Sequence, residues 1–172
     1  MAHRYRSWNG PAPTTAAQVA VTTGTVIKTM LQIATPATRQ LTLISWGFSL
    51  TAPPATTSTG IVELLDTDVA ATVTAHVAAG VQPLVPGQPA SLMTLGTGAT
   101  GYTATAEGST TASRVHDVIE VPGLTAGGDG IAPYVFQWMP DERPIIAVSR
   151  FLRVRVTFAA AVSMITYVTW DE

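Results

Sequence analysis

The sequence predicts an all-β protein: an antiparallel β-sandwich or jelly roll of about seven or eight strands with at most one short helix. Three observations predict it. Threonine, alanine and valine supply 27, 25 and 18 of the 172 residues, and the β-branched Thr and Val pack well on a pleated surface. Apolar and polar residues alternate over several short runs, the pattern of half-buried strands. Finally, 14 glycines and 12 prolines are spread along the chain, which divides it into many short elements joined by turns.

In chain order, residues 1–25 read as an extended N-terminal arm. Pro11, Pro13 and the threonines after them disfavour helix. The arm carries His3, Arg4, Tyr5, Arg6 and Trp8, a cationic and aromatic cluster of the residue types favoured as interface anchors. Residues 26–172 read as the sandwich domain, so removal of residues 1–12 is expected to leave the fold intact. Within the domain Ile27, Leu31 and Ile33 share a face. Over Leu41–Leu50, Ile44, Trp46, Phe48 and Leu50 alternate with Ser45, Gly47 and Ser49. A short strand at Ile61–Asp66 follows. Val69, Val73 and Val77 are spaced four apart between Asp68 and Gly80, which predicts one short helix over 68–80.

The second half repeats the strand pattern. A weak strand is expected at Gly101–Glu107 and an alternating one at Arg114–Val121, then a flexible loop over Gly123–Gly130 that contains Gly127, Gly128, Asp129 and Gly130. Tyr134, Phe136 and Trp138 form an aromatic stripe. Leu152, Val154, Val156 and Phe158 alternate with Arg153, Arg155 and Thr157, and a last strand runs over Val162–Trp170. Trp46, Phe48, Phe136 and Phe158 are the expected core aromatics.

Composition narrows the function classes. A 172-residue chain buries about 70% of its unfolded surface and needs no staple. It has no cysteine, so disulfides, thiolate metal sites and a cysteine nucleophile are excluded. A formal net charge of −2 gives no overall field for gathering nucleic acid. No apolar run reaches the ~20 residues of a membrane helix, and none of signal-peptide length follows the basic start. Export by a signal peptide is therefore not expected, although a protein can also leave a cell as part of a virus particle.

Motifs for chemistry are weak. Gly96-Thr97-Gly98-Ala99-Thr100-Gly101 matches the dinucleotide fingerprint by letter, but Tyr102–Glu107 reads as strand where that fingerprint needs a helix. Asp66 and Asp68 lack the further oxygen ligands of a calcium site. His116 and Asp117 are adjacent on an expected strand, where neighbouring side chains point to opposite faces. His3, His76 and His116 are far apart in sequence, unlike the ligand clusters of a metal-binding jelly-roll enzyme. The expectation is no enzyme, no cofactor, no metal and no small-molecule substrate. Arg153 and Arg155, with Arg143 and Arg150 nearby, form a basic region that serves either as a face paired with carboxylates or as an interface for an acidic partner.

Several stretches resemble small structural proteins of tailed bacteriophages, especially those of actinobacterial hosts. They are Leu41-Thr42-Leu43-Ile44-Ser45-Trp46-Gly47-Phe48-Ser49, Ile61-Val62-Glu63-Leu64-Leu65, the run from Phe136 to Pro144, the run from Phe151 to Thr157, and the closing Tyr167-Val168-Thr169-Trp170-Asp171-Glu172. The resemblance implies a virion component with a jelly-roll-like fold: a capsid decoration (cement) protein on the capsid exterior, often a homotrimer, whose partner is the major capsid protein. The partner-binding residues expected are Arg4, Tyr5, Arg6, Trp8, Arg153 and Arg155. The alternative is a tail, fibre or host-binding module on the same sandwich.

Overall fold

The computed structural model describes residues 3–12, 14–123 and 131–172. The described residues form thirteen strands: β1 (Arg4–Trp8), β2 (Val21–Thr22), β3 (Lys28–Ala34), β4 (Leu41–Leu50), β5 (Gly60–Thr67), β6 (Thr72–Ala75), β7 (Val81–Pro83), β8 (Gly101–Ala106), β9 (Ser113–Val121), β10 (Tyr134–Gln137), β11 (Ile145–Ile146), β12 (Phe151–Thr157) and β13 (Ser163–Asp171). The glycine-rich loop expected at 127–130 lies outside the described residues.

The strands form two antiparallel sheets. Sheet A has the order β10-β4-β13-β1-β7, with β11 also on β4 and β2 also on β13. Sheet B has the order β6-β8-β3-β12-β5-β9. Eight strands make the frame. In sheet A they run β1-β13-β4-β10, and in sheet B β3-β12-β5-β9. Successive frame strands change sheet at every step except β5 to β9. That order is the jelly roll, two Greek keys folded over one core. The expected class is therefore the observed one, and the count of seven or eight describes the frame. The five additional strands are two to six residues long.

The core lies between the sheets and shows why the long alternating runs fold as they do. Trp46 and Phe48 from β4, Val62 and Leu64 from β5, Val154 and Val156 from β12, and Val168 and Trp170 from β13 are all buried in one cluster. Phe158, just beyond β12, is 2% exposed. Gly60 admits its ring: a Cβ at position 60 would lie 2.0 Å from it. Phe136 departs from expectation. It is 40% exposed, because β10 is a four-residue strand at the edge of sheet A with no neighbour on its open side among the described residues.

Two further expectations are corrected. Residues 68–80 form no α-helix. Thr72–Ala75 is β6, paired with β8 through two register irregularities, and Ala78–Gly80 is a single 3-10 turn. Val77 is 65% exposed, so the four-spaced valines never form a buried helical face, and Thr and Val take the extended form they favour. Asp68, at the start of that span, accepts the Thr111 and Ala112 N–H groups at 3.1 and 3.0 Å.

The arm is the second correction. Arg4–Trp8 is extended, as expected, but it is an inner strand of sheet A with β13 on one side and β7 on the other. Tyr5 and Ser7 point into the core at 2% and 0% exposure. The boundary expected at residue 25 therefore does not separate an arm from a domain. The short β1 hides its alternation because its inward positions hold one aromatic and one serine.

Candidate docking surface

The outward positions of β1 and β13 build the one face that gathers several predicted residues. The register sets Arg4 opposite Asp171, Arg6 opposite Thr169 and Trp8 opposite Tyr167. Directly opposite residues share a face, so these side chains stand together on the outside of sheet A. The Arg6 guanidinium donates from Nε to Thr169 Oγ1 at 2.9 Å. It lies 4.7 Å from the Tyr167 ring centroid and 5.8 Å from that of Trp8. The Trp8 and Tyr167 rings are 5.0 Å apart. This cation–π arrangement restrains Arg6 and leaves it partly exposed. Arg4 and Arg143 both pair with Asp171, at 3.3 and 3.5 Å.

The patch continues across β4. Gly47 is required there, since a Cβ would lie 2.5 Å from the Tyr134 carbonyl and 3.0 Å from the Tyr167 ring. A shallow apolar depression of about 100 Å³ runs beside it, bordered by Trp8, Ile165, Tyr167, Pro133 and Val135. Val135 is 64% exposed. Sequence reasoning missed Ile165, Tyr167 and Val135. The alternation of β13 carried the signal, because Ile165 and Tyr167 fall on the face opposite the buried Met164 and Val168.

The remaining predicted residues are elsewhere. Tyr5 is in the core, its hydroxyl donating to the Pro89 carbonyl at 2.8 Å, so it offers nothing to a partner. Burial, followed by the charge of Glu172, raises its phenol above the ordinary value. Arg153 is also internal, with a side chain 0% exposed. It donates to the carbonyls of Glu107 and Val69 beneath the chain between β5 and β9. Arg155 pairs with Glu63 at 3.0 Å on sheet B. Arg150 reaches Asp66 at 2.8 Å. The basic region near the C-terminus is thus divided into separate ion pairs, none of them with the carboxylate nearest in sequence.

The groups considered for chemistry have structural partners. Asp66, buried at the end of β5, accepts from Arg114, His116 and Arg150 at 2.9 to 3.0 Å. Burial pushes its carboxyl up, but the bonds from His116, Arg150 and Arg114 outweigh it and hold the group at about 2. His116 and Asp117 meet different groups, and not through strict alternation. A register shift opposite Leu64 and Leu65 turns both toward the interior, where Asp117 accepts from Trp46 and Tyr134. The residues after Gly96–Thr100 form β8, with no helix start to hold a pyrophosphate. Among the described residues, no group of three or more His, Cys, Asp or Glu side chains is placed to hold a metal ion.

No family model, no curated protein and no solved structure matches the chain. The class that the fold defines is an all-β, jelly-roll sandwich with an arginine–aromatic outer face on one sheet.

Proposed function

We propose that this chain is a bacteriophage virion structural protein, a capsid decoration protein that binds the major capsid protein on the capsid exterior and holds neighbouring subunits together as a trimer. The observation that carries the reading is the outer face of sheet A. Arg6, Trp8 and Tyr167 are prearranged there beside the exposed Val135. Arg, Trp and Tyr are the side chains that most often dominate binding energy, and a prearranged face loses little freedom on docking. The strand patterns that resemble phage structural proteins support the same reading.

The physics of the role asks for little else. A protein that binds the assembled lattice and not its free subunits stabilises the lattice by mass action. Closed cyclic symmetry covers apolar surface without open-ended growth. Exposed apolar side chains such as Phe136, Met139 and Ile145 supply surface for identical neighbours. The test is the copy number in purified particles. Copies in fixed proportion to the major capsid protein support the reading. A handful of copies at the tail would favour a tail or host-binding module, and absence from the particle would exclude both.

A further inference from the structure

The chain between β5 and β9 makes an excursion that crosses the sandwich: β6 extends sheet B, β7 extends sheet A, and β8 returns to sheet B. Residues 75–83 are therefore a strap that closes one side of the molecule. On sheet A the strap is held by three β1–β7 pairs, Tyr5 with Pro83, Arg6 with Gln82 and Ser7 with Val81, and by Leu84 N–H donating to Arg4 O at 2.9 Å. Its turn is held by His76. This ring is 4% exposed. Its Nε2 lies 2.9 Å from Trp8 O and 3.1 Å from Ser7 Oγ. Since Trp8 O only accepts, Nε2 carries the proton. Ser7 Oγ itself donates to Gly80 O at 2.9 Å.

The neutral ring is therefore specified on its Nε2 side. The other nitrogen, Nδ1, packs against Gly80, where a Cβ would come within 2.2 Å of it. Among the described residues, Nδ1 has no hydrogen-bond partner in the protein. Tyr102 is the titratable group against the ring, with centroids 4.8 Å apart. Trp8, Ser7 and Gly80 face it with neutral groups, and among the described residues no carboxylate is bonded to it. Arg6 stands on the opposite face of β1, over Tyr167.

We propose that His76 is a proton-sensitive latch that keeps the 75–83 strap on β1. Protonation places an uncompensated charge in a buried site, and the ring relieves it by leaving, which frees the strap and makes β1 the edge of sheet A. Burial, against the smaller effect of the Trp8 carbonyl, already holds the ring below the ordinary imidazole value, so the latch is closed at neutral pH and opens in acid. That opening would loosen the strand bearing Arg6 and Trp8, which rests on the docking reading above. The latch itself does not.

The test uses the free full-length protein. Amide exchange at Leu84, whose N–H is bonded to Arg4 O, corrected for intrinsic pH dependence, is followed from pH 8 to pH 4.5 together with NMR titration of the three assigned imidazoles. The expected result is Leu84 protection that falls, by at most about tenfold per pH unit, as the pH drops below the ordinary imidazole value, while β12 amides stay protected. His76→Gln keeps a donor for Trp8 O without titrating, and its Leu84 protection is expected to stay flat. Flat protection in the wild-type protein overturns the proposal even if the variant fails to fold. So does an equal fall in His76→Gln. Neither result depends on whether any capsid is bound.

Discussion

Trp46 on β4 donates its indole N–H to the Asp117 carboxylate on β9 at 3.0 Å, and the Tyr134 hydroxyl donates to the same oxygen at 2.6 Å. One carboxylate thus ties sheet A to sheet B on the side of the sandwich away from the strap. Burial, and then the hydrogen bond and charge of Asp117, pushes the Tyr134 hydroxyl well above its ordinary value. Asp117→Ala leaves two donors without their acceptor, and stability is expected to fall by about 3 kcal/mol. Urea denaturation checks this. A loss under about 1 kcal/mol would mean the bridge contributes little beyond solvent hydrogen bonding.

Asp66 makes stability depend on pH in a defined window. Its carboxyl falls from 3.8 to about 2 on folding, so the folded state holds the proton less tightly than the unfolded chain. The stabilisation is complete above about pH 4 and is lost as pH drops toward 2, about 2 kcal/mol in all. Denaturation midpoints measured between pH 5 and 2 check it. Asp66→Asn is expected to be less stable at pH 6 and to show a shallower fall across that window.

Phe158 and Phe136 separate burial from hydrophobicity. Phe158→Ala is expected to cost roughly 3–5 kcal/mol, the range for a buried aromatic. Phe136, 40% exposed, should cost about 1 kcal/mol. Gly60→Ala should destabilise as well, because the new methyl meets the Phe158 ring. Equal losses for the two phenylalanines would contradict the described edge of β10.

These contrasts show what was legible in the sequence. Long alternating runs were readable: Leu152, Val154 and Val156 against Arg153 and Arg155, or Trp46 and Phe48 against Gly47. Their period of two is longer than local noise. Short strands were not. β1 holds two inward side chains, and the segment around β6 mimicked helical spacing through Val69, Val73 and Val77. Arg153 misled because position on an outward face does not imply contact with solvent once the chain between β5 and β9 covers it. The candidate docking patch was half readable, as Arg6 and Trp8 are near in sequence while Tyr167 reaches them only through the pairing of the first and last frame strands.

That pairing changes what truncation does. Removal of residues 1–12 deletes β1 with the buried Tyr5, Ser7 and Asn9, and exposes the flank of β13. The truncated chain is expected to lose cooperative unfolding at ambient temperature or to aggregate. Arg6→Ala and Trp8→Ala, which change only the outer face, should stay folded with losses of about 1 kcal/mol. Circular dichroism melts of the three proteins check this.

The docking claim is tested most directly by sedimenting undecorated capsids with increasing amounts of this protein. The account predicts saturable binding at a fixed ratio to the major capsid protein, a higher capsid disruption temperature, and weakening of at least about tenfold in the folded Arg6→Ala, Trp8→Ala double variant, corresponding to one lost anchor of about 1.4 kcal/mol. Capsids that sediment bare at saturating protein, or a double variant that binds as tightly as the native chain, would contradict it.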